Sequence, residues 1–107
     1  MSTDPLSSGL ERVRQRFLET LRDRFNRVVR LRAKVAEEVD VQDSLCEIGK
    51  ICHKIAGTAA TLGFPDLGSN AAEIDDLIMS NQDELKNPDP YLLMKIDEFV
   101  TATRDTI

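Results

Sequence analysis

From residue 10 to residue 40 no glycine or proline interrupts the chain, and apolar side chains recur every three or four positions. Leu10, Val13, Phe17, Leu21, Phe25, Val28, Leu31 and Val35 form one stripe on a helical repeat. A strand alternates with period two, so only a helix gathers these residues on one face. Ser7 or Ser8 is placed to cap it, with residues 1–7 expected to fray. The stretch reads either as one helix of roughly 30 residues or as the same helix broken near Arg14–Arg16. Helices gain most of their stability by packing an apolar face, so the rest of the chain must supply partners.

It supplies three. Asp40 or Asp43 starts a second helix, with Ser44 and Glu47 spaced as a capping box. Leu45, Ile48, Cys52, Ile55, Ala59 and Leu62 line its buried face, and it ends around Gly63, a natural left-handed residue, with Pro65 just beyond. The third helix runs from about Pro65 to Ser80, with Leu67, Ala71, Ile74 and Leu77 or Ile78 inward and Gly68 weakening its first turn. Residues 81–89 make the longest polar link, and Asp89 before Pro90 reads as cap and first helical residue. The last helix uses Leu92 or Leu93, Ile96, Phe99 or Val100, and Thr103. No repeat, low-complexity tract or strand pattern appears. The expected fold is all-α, an up-down-up-down antiparallel four-helix bundle with a long N-terminal helical segment, occupying residues 1–107 as one domain.

Charge narrows the partners. The net charge of −5 is unevenly spread. Residues 1–35 hold eight Arg and one Lys against four acids, a balance of +5, whereas residues 36–107 hold five bases against fifteen acids, a balance of −10. An acidic whole argues against nucleic acid, whose phosphates reward basic surfaces. The arginine-rich helix suits either a solvated face laced with ion pairs or the steering of an acidic protein. No apolar run approaches the ~18 residues of a membrane span, and the first residues lack a secretion signal, so a cytoplasmic monomer is expected. Cys46 and Cys52 point different ways from one helix and cannot pair there. Cys46 and His53 lie about 10 Å apart along that helix, too far to share one metal ion, so no metal site is expected.

The only histidine, His53, is set apart from the apolar stripe. On a helical wheel its own face carries Cys46, Gly49, Gly57 and Ala60, with Ala56 close by. Each glycine inside a helix costs about 1 kcal/mol relative to alanine. Their placement around one imidazole fits a ring kept open to something bulky. Helices two and three reverse near residue 64, with His53 eleven residues before it and Asp75 eleven after. Antiparallel neighbours therefore bring His53 and Asp75 to the same height. A carboxylate there can accept a hydrogen bond from one ring nitrogen and leave the other nucleophilic.

Residues 53–64, His-Lys-Ile-Ala-Gly-Thr-Ala-Ala-Thr-Leu-Gly-Phe, followed by Leu67, Ala71, Ile74 and Asp75, resemble the signature of histidine-containing phosphotransfer (HPt) domains. The resemblance is sharp over residues 51–75 and generic elsewhere. It implies a four-helix bundle that relays phosphoryl groups in bacterial phosphorelays. His53 would take the group from a receiver-domain aspartate and pass it to another receiver's aspartate. Mg²⁺ would reside on the receiver, and the chain itself would need no cofactor. Gly49, Ala56, Gly57 and Ala60 would form the docking surface. Lys50 and Lys54, about 60° and 100° around the helix from His53, could reach the phosphoryl oxygens. Many members of the family carry a basic residue three positions after the histidine, where this chain has Ala56.

Three other readings compete, the plainest being that His53 is an inert solvated side chain, which the flanking glycines and the family-like spacing disfavour. A helical adaptor could dock receiver domains without transferring phosphate. A dimeric histidine-kinase core fits worse, because its helices usually place an acid straight after the histidine and a proline five later. Here those positions are Lys54 and Thr58, and no ATP-binding glycine pattern follows, so autokinase activity is not expected.

Overall fold

The computed structural model describes residues 5–107 and contains four α-helices: α1 (Pro5–Ala36), α2 (Val41–Ala59), α3 (Pro65–Ser80) and α4 (Pro90–Thr106). Each packs against its neighbours in sequence, and α1 closes the ring against α4, which gives the expected antiparallel bundle. None of the helices is long and apolar enough to cross a membrane.

The 32 residues of α1 are unbroken, so the alternative of a break near Arg14–Arg16 falls away. Neither Ser7 nor Ser8 caps the helix; both lie inside it, because Pro5 already has the backbone angle that a first helical turn needs. Of the residues expected to fray, 1–4 lie outside the described residues. At 1.5 Å per residue α1 is about 48 Å long, against about 28 Å for the 19 residues of α2. The surplus stands clear of the bundle. Leu10 and Val13, which continue the apolar stripe, are 56% and 53% exposed. Burial begins at Phe17, which stacks on Phe64 with ring centroids 5.6 Å apart. It continues through Leu21, Val28, Leu31 and Val35, while Phe25 is only half-buried, under the Arg104 guanidinium.

The turn after α1 departs from the sequence reading. Glu38 and Asp40 both take left-handed backbone angles, φ 59° and 46°. Asp40 stands at the N-cap of α2, but its side chain makes no capping bond and pairs with Lys34 at 3.3 Å instead. The expected capping box does not form either. Ser44 lies one turn inside α2, buried with its hydroxyl unpartnered, and Glu47 reaches across to Arg27 on α1.

At the other end of α2 the chain turns as expected. Gly63 has φ 93°, and the Phe64 N–H donates to the Ala59 carbonyl at 2.9 Å, a bond spanning the left-handed residue. The α-helix itself stops at Ala59, a few residues before the expected end. Arg14 of α1 donates to the Leu62 carbonyl at 3.2 Å and ties the long helix to this turn.

The core is one cluster in which Phe17, Leu21, Val28, Leu31 and Val35 of α1 join Leu45, Ile48, Cys52, Ile55 and Ala59 of α2, Leu67, Ala71, Ile74 and Ile78 of α3, and Leu92, Ile96 and Phe99 of α4. Each large side chain buried this way contributes about 1.5–3 kcal/mol relative to exposure. Leu77, Leu93 and Val100 pack only partly. Thr103 is fully buried, its hydroxyl satisfied by the Phe99 carbonyl at 2.7 Å. The polar link contains a short 3₁₀ turn at Gln82–Glu84 and is pinned by Leu85, a core residue hidden in a polar run. The Asp89 side chain accepts from the Tyr91 N–H at 2.9 Å, so Asp89 and Pro90 start α4 as read.

Candidate functional site

The α2–α3 hairpin brings His53 and Asp75 together. The His53 Nδ1 lies 2.8 Å from the Asp75 Oδ2. A carboxylate only accepts, so Nδ1 carries the proton and donates it, and the Nε2 lone pair is left free. The two partners differ in exposure. The imidazole side chain is 76% exposed, whereas the Asp75 side chain is 19% exposed, sunk between helices beneath the ring. The carboxylate is thus sheltered from water while the ring stays open to it.

Around the ring the four small residues separate into two groups. Gly57 has open space where a side chain would begin, with no other group within 4 Å, and Ala60 is exposed beside it. Ala56 is half-buried against the core. Gly49 is different. It is buried, and a Cβ placed on it would lie 3.1 Å from the Cγ2 of Ile78 on α3. It therefore faces a neighbouring helix and offers no surface to a partner, which corrects its reading as part of a docking face. On the wheel it sits at the margin of the His53 face, where a small change of angle decides between surface and seam.

Lys50 and Lys54 are both exposed and line a shallow cleft with Asp23, Arg24, Arg27 and Glu47, between α1 and α2. They stand toward α1, whereas Asp75 lies on α3. Neither forms an ion pair among the described residues. Arg27 and Glu47 do pair, with a second contact from Arg27 Nη2 to Glu47 Oε1 at 2.9 Å. The hydrogen bond from Arg27 holds the Glu47 carboxyl below its ordinary range, opposed by burial and aided by the fields of Arg27, Lys34 and Lys50. This acid is thereby occupied by Arg27, and neither lysine forms an ion pair with it. Spacing alone gave no sign of the cross-helix pair, because Arg27 and Glu47 are twenty residues apart.

Cys52, next to His53 in sequence, is buried in the seam. Burial, reinforced by the nearby Asp75 carboxylate, pushes its thiol up to about 12. It stays protonated at neutral pH and is inert as a nucleophile. Cys46 is half-buried near Gln82. The groups on this surface are therefore one exposed imidazole, a carboxylate behind it and two exposed lysines beside it.

No curated protein and no solved structure matches the chain. A family model does, and it accounts for nearly all of the bundle. Its description is Hpt domain, it covers residues 12–106 from within α1 to the end of α4, and the chain belongs to that family.

Proposed function

We propose that the chain is a phosphorelay intermediate whose His53 accepts a phosphoryl group from the aspartyl phosphate of one receiver domain and delivers it to the aspartate of another. Hpt domains serve phosphotransfer in phosphorelays, and the observation that carries the residue assignment is the exposed ring fixed at Nδ1 by Asp75.

The free Nε2 lone pair attacks phosphorus in line. A P–N bond forms as the P–O bond to the aspartyl carboxylate breaks, and the carboxylate leaves with that electron pair. The ring gains positive charge in this step. Asp75, already accepting from Nδ1–H, stabilises that charge without moving. Lys50 and Lys54 offset the negative phosphoryl oxygens, a contribution that depends on positioning more than on covalent help. The reverse step, with the aspartate of a second receiver as nucleophile, discharges the ring. The catalytic Mg²⁺ belongs to the receiver. Gly57 and Ala60, with Ala56 at the edge, form the open floor against which the receiver presses.

Incubation with a receiver domain carrying labelled aspartyl phosphate tests the proposal. Acid-labile label should appear on the unsubstituted chain and disappear entirely in His53→Gln, with the melting temperature unchanged because the ring is outside the core. Label persisting in His53→Gln defeats the assignment. Binding of receivers without any label on the chain would favour the adaptor reading.

A further inference from the structure

The His53–Asp75 contact sits between two places where α2 and α3 touch at glycine. One turn before His53, Gly49 of α2 meets Ile78 of α3; a Cβ there would lie 3.1 Å from Cγ2, 3.4 Å from Cδ1 and 3.5 Å from Cβ of that side chain. Two turns before Asp75, Gly68 of α3 meets α2; a Cβ there would lie 3.3 Å from the Ala60 backbone nitrogen, 3.4 Å from the Ala59 Cβ and 3.7 Å from the Ala56 carbonyl oxygen. The three contacts share one antiparallel register, with the hydrogen bond between the two glycines. Neither obstacle yields easily. Ile78 is buried and branched at Cβ, and the obstacle at Gly68 is helix backbone. A side chain at either position therefore pushes the helices apart rather than folding itself away.

Aspartate is the shortest carboxylate, and its 2.8 Å contact with Nδ1 has little slack before it ceases to be a hydrogen bond. We propose that Gly49 and Gly68 are positioning residues: they hold α2 and α3 close enough for the short arm of Asp75 to reach His53 Nδ1, and so decide which ring nitrogen stays free. Both are poor helix formers, and both stand where the two elements meet, Gly49 within α2 and Gly68 in the first turn of α3. The consequence for transfer rests on the proposed function above; the consequence for the ring does not.

Because His53 is the only histidine, its imidazole ¹⁵N signals report the tautomer without overlap. At pH 8 the unsubstituted chain should show a protonated Nδ1 and a bare Nε2. Gly68→Val should retain its helical spectrum, lose the Nδ1–H preference and slow transfer roughly tenfold, in line with the cost of a sub-ångström misplacement. In the double variant Gly68→Val with Asp75→Glu, the extra methylene should span the widened seam and recover most of both losses. Gly49→Ala and Gly68→Ala, smaller intrusions, should weaken the preference in the same direction and keep the test alive if the valine variant does not fold. Gly9→Ala, where a Cβ meets nothing within 4 Å, should change neither readout. An unchanged tautomer in the folded Gly68 and Gly49 variants overturns the proposal, as does failure of the longer acid to rescue. If the unsubstituted chain takes no label from receivers, the phosphorelay reading falls while the tautomer measurements still decide this one.

Discussion

The α2–α3 seam and the face that α1 turns to the bundle share one apolar core and differ in the contacts that border it. Along α2–α3 the contacts are short and apolar, with glycine against isoleucine and glycine against backbone, and one polar bond at 2.8 Å crosses between them. Around α1 the stripe from Phe17 to Val35 joins the same apolar core, and long charged contacts border it. Arg27 reaches Glu47 on α2, Arg32 reaches Asp97 on α4 at 2.9 Å, and the Arg104 guanidinium lies over Phe25 at 5.9 Å. Long flexible side chains absorb a displacement of a few tenths of an ångström, and a glycine contact does not. Positional accuracy is thus concentrated where the imidazole is held. Of the contacts of α1, only the charged ones at its rim are ones that solvent and salt can loosen.

Substitutions on the two sides should differ accordingly. Gly57→Gln fills the open floor beside His53 and should cut transfer from a receiver by roughly 100-fold, in line with the cost of misplacing reacting groups. The melting temperature should hold or rise, since glutamine is the better helix former. Equal transfer rates in the two chains would remove Gly57 from the docking face. Asp75→Ala comes next. With no acceptor behind Nδ1 the ring loses its tautomer preference, and transfer should slow by roughly tenfold or more. Single-turnover kinetics would make Asp75 a bystander if the rate held. Arg32→Ala, on the loose side, should have the smallest effect. It removes a partly exposed ion pair with Asp97 and should cost ~1 kcal/mol or less in urea unfolding, less still in high salt, with transfer untouched. A loss of transfer in that variant would mean that the charged side shapes the site after all.

Much of this arrangement was readable in the sequence, and the physics explains which parts. Helical periodicity and Gly63 fixed a tight reversal, and a tight reversal fixes which residues of α2 and α3 share a level, so the His53–Asp75 pair followed by counting. The Asp89–Pro90 start of α4 followed from backbone preference alone. What escaped was information that lives between elements. The stripe of α1 continues through Leu10 and Val13 with nothing local to say that the other helices end sooner. Ser44 and Glu47 have the spacing of a cap, but Glu47 finds Arg27 on another helix and the chain turns at Asp40. Gly49 and Gly57 are equivalent by composition and lie on either side of His53, yet one faces Ile78 and the other faces water. Gly68 lies in the first turn of α3, as read, and is also a point of helix contact that nothing local announces. Leu85 sits in a polar run whose character conceals an anchor.

The overhang of α1 leaves one molecule under two regimes of cooperativity. From Phe17 onward the helix melts only when the bundle does, since its side chains join the core it shares with α2 and α4. The turns around Leu10 and Val13 have no such cover, so their helicity rests on backbone propensity and on being continued from a nucleated rod. Warming should therefore unravel α1 from its N-terminal end gradually, well below the temperature at which the imidazole's surroundings give way.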